Sequence, residues 1–116
     1  MTASWHHSLA ATLAALPPAG ERWTEPLRHG TMRLGLYAPV ETDRQTPHRQ
    51  DEVYVVAAGA AAFVRGGERR AVVAGDALFV PAGMAHRFEA MSADFSAWVL
   101  FWGPDGGEAQ FASGPA

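Results

Sequence analysis

The chain has 116 residues, of which 48% are hydrophobic and 18% are charged, and its formal net charge is −3. This length predicts a single domain. The chain contains neither cysteine nor lysine, which excludes disulfides, thiolate metal ligands, a cysteine nucleophile and a lysine Schiff base.

Charged residues of both signs are scattered along the chain, without the basic cluster that nucleic-acid binding requires. No apolar run reaches the ~18 residues of a membrane-spanning helix. The N-terminus has an Ala/Leu-rich run, but His6 and His7 stand where a signal peptide carries Lys or Arg. We therefore expect a cytoplasmic protein whose partners include neither nucleic acid nor membrane.

The first predicted element is a short helix over residues 4–16. Ser4 is its expected N-cap, Leu9, Leu13 and Leu16 follow at spacings near the helical period, and Pro17 ends it. We assign residues 1–30 to this helix and a lead-in strand.

Beyond residue 30 the sequence consists of short apolar runs rich in Val, Phe, Tyr and Trp, separated by Gly and Pro. Turn signals at intervals of about eight to twelve residues predict an all-β protein, either an antiparallel sandwich or a barrel. Gly66-Gly67 predicts a tight hairpin between two of the runs. The predicted strands are Thr31–Ala38, Glu52–Ala58, Ala60–Arg65, Arg70–Ala74, Ala77–Val80, His86–Ala90 and Asp94–Trp102.

The last of these runs, Asp94–Trp102, has no polar face, so we expect it to be covered on both sides. Its apolar faces also suggest surface that a homodimer would bury. Residues 104–116 are rich in Gly, Ala and Ser and are predicted to form a flexible tail.

Polar residues occur where this pattern predicts an interior. His48, Gln50, Glu52 and Tyr54 share parity, so on one extended stretch they point to the same side. A carboxylate and an imidazole on the inner face of an apolar strand are costly unless they are paired or bound to metal. His86 follows a Pro–Gly corner at the start of another strand.

These residues resemble the two motifs of the cupins. The second motif is matched by Gly75-x5-Pro81-x-Gly83-x2-His86, except that Ala90 stands at its terminal Asn. The second half of the first motif, His-x3-Glu-x6-Gly, is matched by His48, Glu52 and Gly59. The resemblance implies a small antiparallel jelly-roll β-barrel over residues 31–103, of the conserved-barrel cupin 2 type.

The resemblance also implies a divalent metal, Fe, Mn, Ni or Zn, held by His48, Glu52 and His86. The first histidine of the family motif is replaced by Thr46. Either Thr46 or Gln45 offers a neutral oxygen for a fourth position. Gln50 and Tyr54 are expected to line the pocket, whereas His6, His7 and His29 have no partner at a useful spacing.

Three functions stay open at this stage. The first is a metal-dependent enzyme of the dioxygenase or isomerase type that acts on a small organic acid or polar metabolite, with Arg49, Arg87 or Arg33 as partner for a substrate carboxylate. The second is a non-catalytic module that binds or senses a small molecule. The third is a degenerate cupin without metal, a structural remnant that dimerises through its exposed sheet. In this case Glu52 is a salt-bridge partner for Arg49 or Arg87, and the histidines are ordinary surface or hydrogen-bonding residues.

Overall fold

The computed structural model describes residues 4–109. Within them the chain forms one short helix followed by eight strands. The elements are α1 (Leu9–Ala14), β1 (Trp23–His29), β2 (Met32–Tyr37), β3 (Asp51–Ala58), β4 (Ala60–Arg65), β5 (Glu68–Val73), β6 (Ala77–Val80), β7 (His86–Glu89) and β8 (Ser96–Trp102).

The strands form two antiparallel sheets that enclose the interior of a small barrel. One sheet has the order β1-β2-β8-β3-β6 and the other β5-β4-β7. The predicted all-β architecture with a short helix is therefore confirmed. The β4–β5 hairpin turns at Gly66 and Gly67, whose φ values of 52° and 86° suit the primed turns that such hairpins favour.

The edge strand β1 lies within the predicted N-terminal segment and pairs with β2, so the sheet begins at Trp23 rather than at residue 31. Its pairing is irregular between Thr24 and Leu27, and Pro26 lies inside that irregularity. A proline has no N–H for the ladder and is tolerated at such an edge. This is why the strand lacked a clear sequence signal.

The helix is shorter than predicted and begins later. Its N-cap is Ser8, whose side chain accepts a hydrogen bond from the Ala11 amide at 3.1 Å, so the expectation of Ser4 in this role was wrong. Ser4 instead donates to the carbonyl of His6 at 2.9 Å. The helix ends before Pro17, as the sequence predicted.

Both faces of β8 are covered along part of its length. Ala97, Val99 and Phe101 face the barrel interior and are buried. On the other face Trp98 packs into a small apolar cluster with leucines of the helical segment and β2, namely Leu9, Leu13, Leu16 and Leu36. The predicted helix therefore serves as a cover for this sheet.

The largest apolar cluster lies between the two sheets. Its centre, called here the aromatic core, consists of Tyr54, Phe63, Phe88 and Phe95. Neighbouring ring centroids are 4.7 to 5.6 Å apart, in the tilted and edge-to-face arrangements that aromatic pairs prefer.

Part of the predicted tail is fixed to the barrel. The Gly106 amide donates to the carbonyl of Arg49 at 2.7 Å, and the Glu108 amide donates to the Asp51 carboxylate at 2.8 Å. Residues 104–109 therefore run beside the start of β3. Residues 110–116 of the predicted tail lie outside the described residues.

Candidate metal centre

Glu52 lies on the inner face of β3 and is 1% exposed. The pleat turns Glu52, Tyr54 and Val56 to the same buried side, as their shared parity predicted. Neither carboxylate oxygen of Glu52 has a hydrogen-bond partner. An ionised carboxylate buried in this way costs free energy unless a cation compensates it.

His86 approaches this carboxylate from the opposite sheet. It begins β7, immediately after the turn that contains Gly83, and its side chain is fully buried. Its Nε2 atom lies 2.8 Å from Glu52 Oε1, a distance at which a protonated imidazole forms an ion pair with the carboxylate. Its Nδ1 atom lies 2.8 Å from the Met84 carbonyl. A proton on Nδ1 that bonds this carbonyl leaves Nε2 free to bind a metal ion.

His48 completes the predicted set from the loop between β2 and β3. Its Nε2 atom is 3.8 Å from Glu52 Oε1, and its ring packs edge-on against Phe101. The potential ligand atoms of His48, Glu52 and His86 all lie within 4.8 Å of one another. The structure thus brings together the three side chains that the motif spacing singled out.

Gln45 lies beside these three residues. Its Oε1 atom lies 3.0 Å from His48 Nε2 and 3.1 Å from His86 Nε2, and it accepts a hydrogen bond from the Tyr54 hydroxyl at 2.8 Å. Thr46 is exposed to solvent. Of the two alternatives left open by the sequence, the structure places Gln45, not Thr46, beside the other ligand atoms. We call Gln45, His48, Glu52 and His86 the ligand cluster.

The chemistry of this cluster fits a divalent cation. Two imidazole nitrogens, an amide oxygen and a carboxylate without hydrogen-bond donors converge on one point. Nitrogen and oxygen donors of this kind suit Fe, Mn, Ni or Zn, and the chain has no thiolate to offer. Imidazoles that bind a metal and the Gln45 amide are all uncharged, so the Glu52 carboxylate supplies the single formal charge of the cluster.

Burial and charge shift the pKa values of the residues around this point. Burial lowers the pKa of His48, which keeps its imidazole neutral. Burial also lowers the pKa of His86, but the Glu52 carboxylate and the Met84 carbonyl outweigh it, and the net shift is upward. Burial raises the pKa of Tyr54, and burial together with the Asp43 carboxylate raises that of Tyr37, so both phenols stay protonated.

A cavity of about 190 Å³ opens beside the ligand cluster. This volume is below the ~300 Å³ at which pockets for drug-sized ligands begin. Tyr54 lines it, as expected, together with Trp23, Arg33, Tyr37, His48 and Phe101. The ring of Trp23 fits against Gly35, where an added Cβ would come within 1.9 Å of the indole.

Arg33 brings a positive charge to this cavity. Its guanidinium carbon lies 4.4 Å from the centroid of the Phe101 ring, and its nitrogens bond Glu25 at 3.1 Å and Gln50 at 3.0 Å. Gln50 was expected to line the pocket. Instead it lies behind Arg33, accepting from the guanidinium and donating to the carbonyls of Thr31 and Gly103.

The other two arginines considered from the sequence lie on the surface. Arg49 has a side chain that is 87% exposed and faces Asp105, as its opposite parity to His48 suggested. Arg87 forms a 2.6 Å ion pair with Glu89 on the outer face of β7. Arg33 is therefore the one of the three that reaches the cavity.

Sequence reasoning missed Asp43. This residue is 6% exposed and accepts hydrogen bonds from Tyr37, from both the backbone and the side chain of Gln45, and from the Phe88 amide. It lies in an irregular loop outside both motifs, so neither strand periodicity nor motif spacing marked it.

The comparison with known families agrees with this architecture. The profile of the cupin domain matches residues 34–102. The chain is a cupin. The match includes all three ligands expected from the motifs and ends with β8.

Individual proteins are similar to this chain in sequence or in structure. An uncharacterized protein of Streptomyces coelicolor is 46% identical over 81 residues, covering 68% of this chain and 77% of that protein. The crystal structure of a cupin 2 conserved barrel domain protein from Salinispora arenicola has a TM-score of 0.61 at 18% identity, covering 88% of this cupin and 91% of that chain. The crystal structure of a predicted oxalate decarboxylase from Thermotoga maritima has a TM-score of 0.60 at 19% identity. The match covers 69% of this cupin and 77% of that chain.

Among the described residues, no helix has the length and apolar character needed to cross a membrane.

Proposed function

We propose that this cupin binds a divalent metal ion with His48, Glu52, His86 and Gln45 and is a metal-dependent enzyme acting on a small organic acid. The observation that carries the proposal is the Glu52 carboxylate, which is buried without a hydrogen-bond donor and faces two imidazole nitrogens. A divalent cation would compensate the charge of the Glu52 carboxylate and accept the lone pairs of the two imidazole nitrogens. When bound, such an ion acts as a Lewis acid or as an activator of oxygen, the chemistries of isomerase- and oxygenase-type cupins.

The cavity suggests the kind of substrate. Arg33 and His48 pack against the same Phe101 ring, at 4.4 and 5.1 Å, so the guanidinium and the ligand cluster share one wall of a small space. Guanidinium groups pair with carboxylates through two parallel hydrogen bonds. A short acid with one end at the ligand cluster and a carboxylate at Arg33 would use both features.

The test begins with metal binding. Apo protein is titrated calorimetrically with Mn²⁺, Ni²⁺ and Zn²⁺, and anaerobically with Fe²⁺. Wild-type protein is expected to bind one equivalent and the Glu52→Gln variant none. The metal-loaded protein is then screened against oxalate, malonate and succinate by thermal shift and for turnover. Absence of binding for all four ions would refute the proposal, and stabilisation without turnover would favour a binding or sensing role.

One observation supports a metal-free alternative. His86 Nε2 is only 2.8 Å from Glu52 Oε1, and the pKa of His86 is raised, so a buried ion pair would also compensate the carboxylate. In that case the barrel would be a degenerate cupin. The two possibilities differ in the effect that neutralising Glu52 has on the stability of the metal-free protein.

We also propose that the protein forms a homodimer. Val73 on β5 and Phe79 on β6 are each about half exposed, and Phe79 packs beside Trp102 on the outside of the larger sheet. Light scattering after size exclusion tests this, and a monomer at micromolar concentration would contradict it.

A further inference from the structure

Asp43 is a buried carboxylate on which three parts of the barrel converge. Its Oδ1 accepts from the Tyr37 hydroxyl at 2.6 Å and from the Gln45 amide nitrogen at 3.1 Å. Its Oδ2 accepts from Gln45 Nε2 at 2.6 Å and from the Phe88 backbone amide at 2.8 Å. The carboxylate therefore joins the end of β2, the loop before β3 and strand β7.

These contacts decide which end of the Gln45 amide faces the ligand cluster. An ionised carboxylate accepts hydrogen bonds and donates none, so only the NH₂ end of Gln45 is compatible with the 2.6 Å contact to Asp43. A flipped amide would put its oxygen against Oδ2 and its NH₂ group among the ligand atoms. With Asp43 in place, Oε1 points toward His48 and His86.

Asp43 also fixes the position of Gln45 relative to another ligand. Asp43 accepts a hydrogen bond from the backbone amide of Phe88, which lies two residues after His86 on β7. The same carboxylate thus ties the Gln45 side chain to the strand that carries His86. Partners that orient metal ligands in this way affect metal affinity without touching the ion.

We propose that Asp43 is a positioning residue that turns the Gln45 carbonyl oxygen toward the metal and so adapts this cupin to an amide in place of an imidazole. This inference rests on the proposed function, because it requires that the ligand cluster binds a metal. It assigns Asp43 no contact with the ion or the substrate.

A double-mutant cycle on metal affinity tests the inference. Calorimetric Kd values for Zn²⁺ and Mn²⁺ are measured for wild type, Asp43→Asn, Gln45→Ala and the double variant. Each single variant is expected to bind about tenfold to a hundredfold more weakly. The double variant should bind no more weakly than Gln45→Ala, since Asp43 acts only through Gln45. Additive losses would overturn the inference, because Asp43 would then act on the site by another route.

Two further measurements separate positioning from folding. The absorption spectrum of Co²⁺-loaded protein should change with Asp43→Asn in the Gln45 background and stay unchanged in the Gln45→Ala background. Tyr37→Phe, which removes a donor to Asp43 but leaves the contact with Gln45, should leave Kd within about threefold. A tenfold or greater loss in Tyr37→Phe would contradict the assignment to the Gln45 contact.

If Asp43→Asn fails to fold, the cycle is run with Asp43→Glu, which keeps an acceptor-only carboxylate but moves it by one methylene. A loss of affinity confined to the Gln45 background again supports the inference, and an equal loss in both backgrounds overturns it. Failure of wild type to bind any metal would refute the proposed function and the inference together. Binding by wild type with an additive cycle would refute the inference alone.

Discussion

The ligand cluster and the aromatic core share two strands of the barrel, β3 and β7, but their side chains lie in very different environments. β7 contributes His86 to the ligand cluster and Phe88 to the core, and β3 contributes Glu52 to one and Tyr54 to the other. The aromatic core consists of rings in mutual contact, which stabilises the fold. The ligand cluster contains the buried Glu52 carboxylate, which accepts no hydrogen bond, and this lowers the stability of the metal-free fold. The aromatic core therefore maintains the barrel, and the ligand cluster is the region that we propose for metal binding.

The largest effect on stability is expected in the aromatic core. Phe88 is 1% exposed and contacts the rings of Tyr54, Phe63 and Phe95. Phe88→Ala should lower the free energy of unfolding by about 3–5 kcal/mol, measured by urea denaturation of the metal-free protein. Trp5→Ala, at an aromatic side chain that is 89% exposed, is the control and should cost less than about 1 kcal/mol. Equal losses would contradict the assignment of the core.

In the ligand cluster, unlike the aromatic core, stability is expected to depend on the Glu52 charge and on bound metal. A metal ion at a hundred times its Kd should stabilise wild type by about 2.7 kcal/mol, and Glu52→Gln should abolish this gain. Without metal, Glu52→Gln should be at least as stable as wild type, because it removes an uncompensated buried charge.

The metal-free alternative predicts a different result for the same variant. If Glu52 and His86 form a structural ion pair, Glu52→Gln should destabilise the metal-free protein by about 3–5 kcal/mol. Glu89→Gln, on the outer face of β7, controls for the loss of a glutamate charge and should leave the metal response intact.

An intermediate effect on the free energy of unfolding is expected at Gly35 on β2, beside the wall of the cavity. An alanine at position 35 would overlap the Trp23 ring, which itself packs edge-on against Tyr37 and Phe101. Gly35→Ala should therefore cost about 1–3 kcal/mol in thermal or urea unfolding. In a Trp23→Leu background the same substitution should cost much less, since the overlapping ring is gone. If Gly35→Ala costs as much in the Trp23→Leu background as in wild type, the destabilisation comes from the backbone of β2 and not from the overlap with the ring.

The smallest expected effect concerns ligand affinity alone. Arg33→Gln should weaken binding of malonate to the metal-loaded protein about tenfold, because a charge-assisted pair is lost, while metal affinity stays the same. Arg49→Gln, with an exposed side chain outside the cavity, should change neither value. Equal malonate affinity in wild type and Arg33→Gln would show that the acid does not use this guanidinium.

Much of the barrel could be predicted because its strands carry local signals. β4 and β6 match their predicted bounds, and the parity of β3 placed Glu52 and Tyr54 on the buried face. The motif spacing also brought His48 and His86 to the same carboxylate. The strand features depend on short-range periodicity and on turns whose residues are recognisable, whereas the set of His48, Glu52 and His86 was implied by the resemblance to the cupin motifs.

The remaining features depend on contacts that sequence spacing does not report. The choice of Gln45 over Thr46 depends on the path of an irregular loop, and Asp43 acquires its role only when β7 brings the Phe88 amide to it. Gln50 has the parity of a pocket residue, but it precedes β3 and bonds Arg33 instead. Long-range hydrogen bonds of this kind are set by tertiary structure.

Metal binding by the ligand cluster is most directly tested by anomalous diffraction from crystals of the protein loaded with Zn²⁺ or Mn²⁺. We expect one strong peak about 2.0–2.2 Å from Nε2 of His48, Nε2 of His86 and Glu52 Oε1, with Gln45 Oε1 facing it. A peak at other histidines only, or no peak in a fully loaded crystal, would contradict it.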